Sequence, residues 1–144
     1  MFKKESQLVQ AFADNLLSNS VVFPCSELAF EFDFRSGRTD IIGVSEGGEL
    51  FAFEAKLERW KDALNQAYRN SAFAHSCYVV VPTDVAQSAL KSEREFKRRG
   101  VGLCSVSHTG IEVLIPACHK DPLFPWLSES AKVYIDCYSD EQVS

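Results

Sequence analysis

The chain of 144 residues contains no run of apolar residues approaching the ~20 that a membrane-spanning helix needs. Nor does it open like a secretory leader. Met1-Phe-Lys-Lys-Glu-Ser-Gln is basic and then polar, without an apolar stretch or a small-residue cleavage site, so the cytoplasm is the expected compartment. Its cysteines, at 25, 77, 104, 118 and 137, are odd in number and form no CxxC pair. That argues against a disulfide framework and for free, mostly buried thiols. Cys118-His119 and His75/Cys77 each lack a companion pair at zinc-ligand spacing. No Ser or Cys stands at a recognisable distance from a histidine, so no nucleophilic triad is indicated. Internal repeats and low-complexity segments are also missing. Positive charge is in deficit, with 15 basic against 20 acidic residues and a net charge of −5, which counts against a strong non-specific DNA binder. A net acidic domain still has room for one basic surface. The run from Lys91 to Arg99 holds five basic residues, and Arg59, Lys61 and Arg69 sit near one another in sequence. Either group would meet phosphates or merely solvate a helix.

Apolar residues make up 46% of the chain, and 11 are Phe, enough to build a core for one domain spanning 1–144. The expected core covers about 4–115, with 116–144 as a C-terminal extension. Leu8, Val9, Phe12 and Leu16 recur at helical spacing, which predicts a helix over 4–18. Glu27 to Phe34 alternates, and strict alternation places Leu28, Phe30, Phe32 and Phe34 on one face of a strand. Asp40 to Ser45 and Glu49 to Leu57 read as two further strands joined by a hairpin at Glu46-Gly47-Gly48. They are apolar on both faces and so belong in the middle of a sheet. Helices are expected over 58–74 and from about Asp84 to Arg99, with a buried strand over Cys77–Val81 between them. Val101–Val106 and Gly110–Ile115 complete the strands. Pro122 and Pro125 interrupt the C-terminal stretch, leaving a short helix or strand near Trp126–Tyr138.

The hairpin register carries the functional argument. With a three-residue loop, Ser45 faces Glu49, and counting inward places Asp40 opposite Glu54, their Cβ atoms ~5 Å apart. A two-residue loop would shift the pairing by one and place Asp40 diagonally. Lys56, two residues past Glu54, falls on the same face by alternation. Two carboxylates at that separation suit a hard divalent cation such as Mg²⁺ or Mn²⁺, which keeps places for water and phosphate oxygens. A neighbouring ammonium would orient the attacking water and balance charge on the phosphate. An internal salt bridge is the plainer alternative for the same three residues.

Asp40-Ile-Ile-Gly43 followed by Phe53-Glu54-Ala55-Lys56, after an opening helix that carries Glu5, resembles the PD-(D/E)XK nuclease superfamily. The resemblance covers roughly residues 4–82. It implies an α/β, restriction-endonuclease-like α-β-β-β-α-β core, a mixed central sheet flanked by helices. By the same resemblance Asp40 and Glu54 would be metal ligands with Glu5 as a further one, Lys56 the catalytic lysine, and Gln66 a residue of the following helix that joins the site. Thr39 stands where a proline often precedes the aspartate, and Tyr68 follows Gln66 at two residues rather than the four of QxxxY motifs. The implied activity is Mg²⁺-dependent hydrolysis of phosphodiesters in DNA, with RNA left open and no membrane partner. A chain this short would take its specificity from a homodimer, a partner protein or the shape of the nucleic acid. The rival reading is an inactive binding or assembly module of the same fold within a larger mobile-element or defence complex.

Overall fold

A computed structural model describes residues 2–18, 22–34 and 37–143, the last four without side chains. Helix α1 (Glu5–Ser18) leads into a meander of β1 (Glu27–Phe34), β2 (Gly37–Val44) and β3 (Leu50–Ala55). Helix α2 (Trp60–Arg69) and a 3₁₀ turn (Asn70–Ala72) connect to β4 (Ser76–Pro82). Helices α3 (Thr83–Leu90) and α4 (Glu93–Arg99) connect to β5 (Gly102–Ser107), which turns into β6 (Gly110–Ile115), and α5 (Pro125–Val143) closes the chain. The six strands lie in sequence order. β1–β2–β3 and β5–β6 pair antiparallel, while β3–β4 and β4–β5 pair parallel. This mixed sheet flanked by helices is α/β and compatible with a restriction-endonuclease-like core. No helix among the described residues is long and apolar enough to cross a membrane.

The two faces of the sheet are covered differently. On one, α1 lays Leu8, Phe12, Ala13 and Leu16 against Ile41, Phe53 and Val80. The stripe spacing that predicts the helix also supplies this packing, and Phe12 stands 4.8 Å from Phe53 and 6.3 Å from Phe23, ring centre to ring centre. On the other face, α2 contributes Trp60, Ala63, Leu64 and Ala67. Its small residues let the helix come close to β3 and β4. Gly43 is needed for space: a Cβ there would lie 2.7 Å from Cys25 Sγ and 2.9 Å from Leu28 Cδ2. The glycine of the Asp40-Ile-Ile-Gly43 run therefore serves packing.

Four elements depart from the sequence reading. β1 does not keep its four large residues on one face. Leu28 and Phe30 join the α1 side, whereas Phe32 and Phe34 pack on the other. Glu31, between them, adopts a left-handed backbone with φ +56°, which turns the strand over. The single helix expected up to Arg99 is broken at Lys91–Ser92. The break re-aims α4 so that the fully buried Phe96 ring reaches Trp60, 5.8 Å away. Helix α2 stops at Arg69, and the tighter turn after it carries Phe73 into the core. At the C-terminus a helix longer than the expected segment begins on Pro125 and packs Leu127, Ala131 and Ile135 into the core against β1 and β2.

Phe12 fastens α1 to the sheet with no exposed surface. Phe12→Ala is expected to lower stability by about 3–5 kcal/mol through lost burial and the cavity left behind. A urea unfolding curve with a lower midpoint and an unchanged slope would show it.

Candidate active site

The hairpin turns as a three-residue loop. Ser45 N–H donates to Glu49 O at 2.9 Å and Gly48 N–H to Ser45 O at 3.0 Å. Val44 then pairs with Leu50, and Ile41 with Phe53. One step further along this register Asp40 meets Glu54, and their carboxyl groups are within hydrogen-bonding reach. The backbone N–H of Ala55 donates to Asp40 Oδ2 at 2.8 Å, fixing the aspartate against the end of β3.

Glu54 is only 1% exposed. Its one side-chain amide partner comes from the turn after α2: Asn70 Nδ2 donates to Glu54 Oε2 at 2.8 Å. Asn70 Oδ1 in turn accepts from Thr39 Oγ1 at 2.8 Å, so the residue before Asp40 and the glutamate are tied through one buried amide. Burial, and then the charge of Asp40, push the Glu54 carboxyl up to about 8, against the opposing pull of the Asn70 bond. Asp40 is also raised, chiefly by burial, although the Ala55 N–H opposes the shift. Two acidic groups are thus held together where water solvates them poorly, an arrangement common at sites that bind cations or move protons.

Lys56 and Glu5 come to this pair from the α1 side. Lys56 follows the last residue of β3, its backbone N–H still bonded to Val80 O at 3.1 Å, and its ammonium lies 3.7 Å from Glu5 Oε1. Glu54, by contrast, is held from the α2 side. Strict alternation does not bind Lys56, because β3 ends at Ala55. Glu5, Glu31 and Asp40 share one cavity with Phe30 and Tyr138, and Gln66 shares another with Glu54, Arg38 and Arg69. The structure thus brings Asp40, Glu54, Lys56, Glu5 and Gln66 to one end of the sheet. Among the described residues no three His, Cys, Asp or Glu side chains are grouped closely enough to hold a metal together. Glu5 stands off from the carboxyl pair, with its oxygen turned to Lys56.

Two participants are missing from the sequence reading. Asn70 follows Gln66 by four residues, one helical turn, and so occupies the tyrosine place of a QxxxY spacing; that offset would have singled it out. Glu31 lies across from Asp40 at the one lapse in the β1–β2 pairing between Phe30–Ile41 and Phe32–Thr39. The Tyr134 hydroxyl of α5 donates to Phe30 O at 2.5 Å and lies 3.3 Å from Glu31 O, bracing that turn.

No family model matches the chain, and no curated protein does. Among solved structures it is similar to a protein of unknown function from Silicibacter pomeroyi, with a TM-score of 0.70 and 19% identity over 95% of this chain and 89% of that one. At that identity the likeness is one of fold. A repair endonuclease from Pyrococcus abyssi overlaps more loosely, with a TM-score of 0.43 and 20% identity over 65% of this chain and 46% of that one.

The carboxyl pair makes stability depend on pH. Glu54 ionises near 4.5 in an ordinary setting and near about 8 in the fold, so between these values the folded state binds more protons than the unfolded one. Metal-free stability is therefore expected to fall as pH rises from about 4.5 to about 8 and to level off above, with a slope of at most about 1.4 kcal/mol per pH unit for one proton. The upward shift of Asp40 acts in the same direction. Chemical denaturation across that range, compared with Glu54→Gln, measures the effect; the variant should lose most of the slope.

Proposed function

We propose that the chain is a metal-dependent nuclease that hydrolyses phosphodiester bonds in DNA. The observation that carries this reading is the buried contact between Asp40 and Glu54, flanked by Lys56 and Glu5. When both groups are ionised their mutual repulsion is relieved by a divalent cation as well as by a proton. The donor set of hard carboxylate oxygens fits Mg²⁺ or Mn²⁺. Asp40 and Glu54 would hold the ion, and Glu5, half exposed, would join by rotating away from Lys56. When bound, such an ion would polarise a phosphoryl oxygen and activate water.

The protein's own groups would do the rest. The Ala55 N–H aims Asp40, and the Thr39–Asn70 relay aims Glu54, so neither carboxylate needs reordering when the substrate arrives. Lys56 would orient the attacking water and balance charge accumulating on the phosphate. Its pairing with Glu5 keeps the ammonium near Asp40 before substrate binds. Gln66 would offer an amide to the strand from the α2 side.

A second reading is favoured by one observation, the net charge of −5. An inactive module of this fold would bind a protein or nucleic-acid partner without cutting. Metal titration and a cleavage assay separate the two. Wild type is expected to bind Mn²⁺ and cut DNA. Lys56→Ala should keep the metal and lose roughly 10²–10⁴-fold in rate. Asp40→Ala should weaken the metal itself. Should wild type leave linear, branched and single-stranded DNA and RNA intact with either ion, the enzyme reading gives way to the binding module.

A further inference from the structure

The strands that pair in parallel all finish at the end of the sheet that carries the carboxyl pair. β3 ends at Ala55, beside Lys56, β4 at Pro82 and β5 at Ser107. Ligand crevices in such sheets open beyond these carboxyl ends. Beyond β4 and β5 lies a notch of about 160 Å³, lined by Phe2, Pro82, Thr83, Asp84, Val106 and His108 among others. Neither Phe2 nor His108 has a part in the site described above.

The notch has the walls of a stacking site. The Phe2 and His108 rings stand 5.0 Å apart, centre to centre, and are tilted by 40°. His108 is exposed, and Phe2 is half-buried against the α1-side core. Aromatic side chains of this kind take nucleobases of any sequence, because every base has a π-face. There is room for one base and not for a base pair. Asp84 repels a phosphate from the notch but accepts a hydrogen bond from a base amino group.

Positive charge borders it. Lys3 and Lys4 follow Phe2 and precede Glu5, which pairs with Lys56. Gln7 Oε1 accepts from both lysine backbone N–H groups, at 2.8 and 3.2 Å, and so fixes the chain there. Both lysines are exposed, and neither has an ion-pair partner among the described residues. Two strand spacings separate the end of β5 from that of β3, on the order of 10 Å, which is the reach of one or two nucleotides. The larger cavity beside Asp40, by contrast, carries Glu5 and Glu31 and repels phosphates.

Resting on the nuclease reading above, we propose that the notch holds one unpaired base of a single-stranded DNA substrate, stacked on Phe2 and His108. Lys3 and Lys4 hold the phosphates between that base and the one cut beside Lys56. The strand thus crosses the ends of β3, β4 and β5 on the side from which Lys56 reaches the carboxyl pair. The preferred substrate is a single strand or a frayed end, since a paired base does not enter the notch.

Fluorescence anisotropy of a labelled single-stranded DNA and of a blunt hairpin duplex, in EDTA and in Ca²⁺ over a series of salt concentrations, tests the assignment. Wild type is expected to bind the single strand roughly tenfold more tightly than the duplex. His108→Ala and Phe2→Leu should each weaken single-strand binding about tenfold at an unchanged salt slope. His108→Tyr should restore it, a pattern that loss of fold would not give. Lys3→Gln combined with Lys4→Gln should lower the slope by about 1.4. Arg94→Gln, on α4, should change neither. Equal binding of the two DNAs, wild-type affinity in both ring variants, or no single-strand binding by wild type would overturn the notch. Mg²⁺-dependent cutting by wild type alongside unaltered binding by both ring variants would discard the notch and leave the nuclease reading standing. The expected losses without any cutting would keep a single-strand binding site and discard the nuclease.

Discussion

Two ionised carboxylates in contact inside a protein repel each other, and the end of β3 holds one such pair, Asp40 and Glu54. The turn at Glu46–Gly48 sets the register that brings Asp40 against Glu54. Helices α1 and α2 then cover the two faces of β3, and Glu54 is shut away from water. Burial makes the pair acidic in position but not in behaviour, since Glu54 keeps its proton well above the ordinary range. A proton, a cation or a nearby ammonium must compensate. Lys56 is the third of these and stands ready at the strand's end.

Rigidity and chemistry are kept apart along the strands. Around the middle of the sheet, Phe12, Phe23, Phe51, Phe53 and Tyr78 pack ring against ring. Among the described residues every buried polar side-chain atom has a partner. The polar groups at the end of β3 are therefore anchored to a stiff platform, as a site needs if its geometry is to survive substrate binding. Helices on opposite faces also contribute to opposite sides of the carboxyl pair, Glu5 from α1 on one and Gln66 and Arg69 from α2 on the other.

Much of this was legible in the residue pattern. The glycine pair of the turn fixed a loop length, the loop length fixed the register, and Asp40 and Glu54 followed. Helix α1 was readable because one apolar stripe suffices to define it. The rest depended on contacts remote in sequence. Asn70 reads as an ordinary polar residue at a helix end, since its partners Glu54 and Thr39 lie 16 and 31 residues away. Gln66 reads as solvated surface until α2 is set down beside Glu54. Alternation in Glu27–Phe34 is so regular that nothing local betrays the reversal at Glu31, where a non-glycine backbone turns left-handed and α5 braces it. Pro125 suggests a break, but proline also suits the first position of a helix, and here it starts α5.

Helix α5 has one further effect. Tyr134 and Tyr138 both pack against the core on the α2 side, Tyr134 with its ring 5.2 Å from Phe32 and Tyr138 reaching the Phe30 ring at 5.8 Å. The helix therefore lies against the outermost strand, with a tyrosine hydroxyl on a β1 carbonyl. A bare outer strand is a template for pairing with a neighbouring chain. Here part of that template is taken up within the chain, because the Phe30 carbonyl of β1 accepts the Tyr134 hydroxyl of α5.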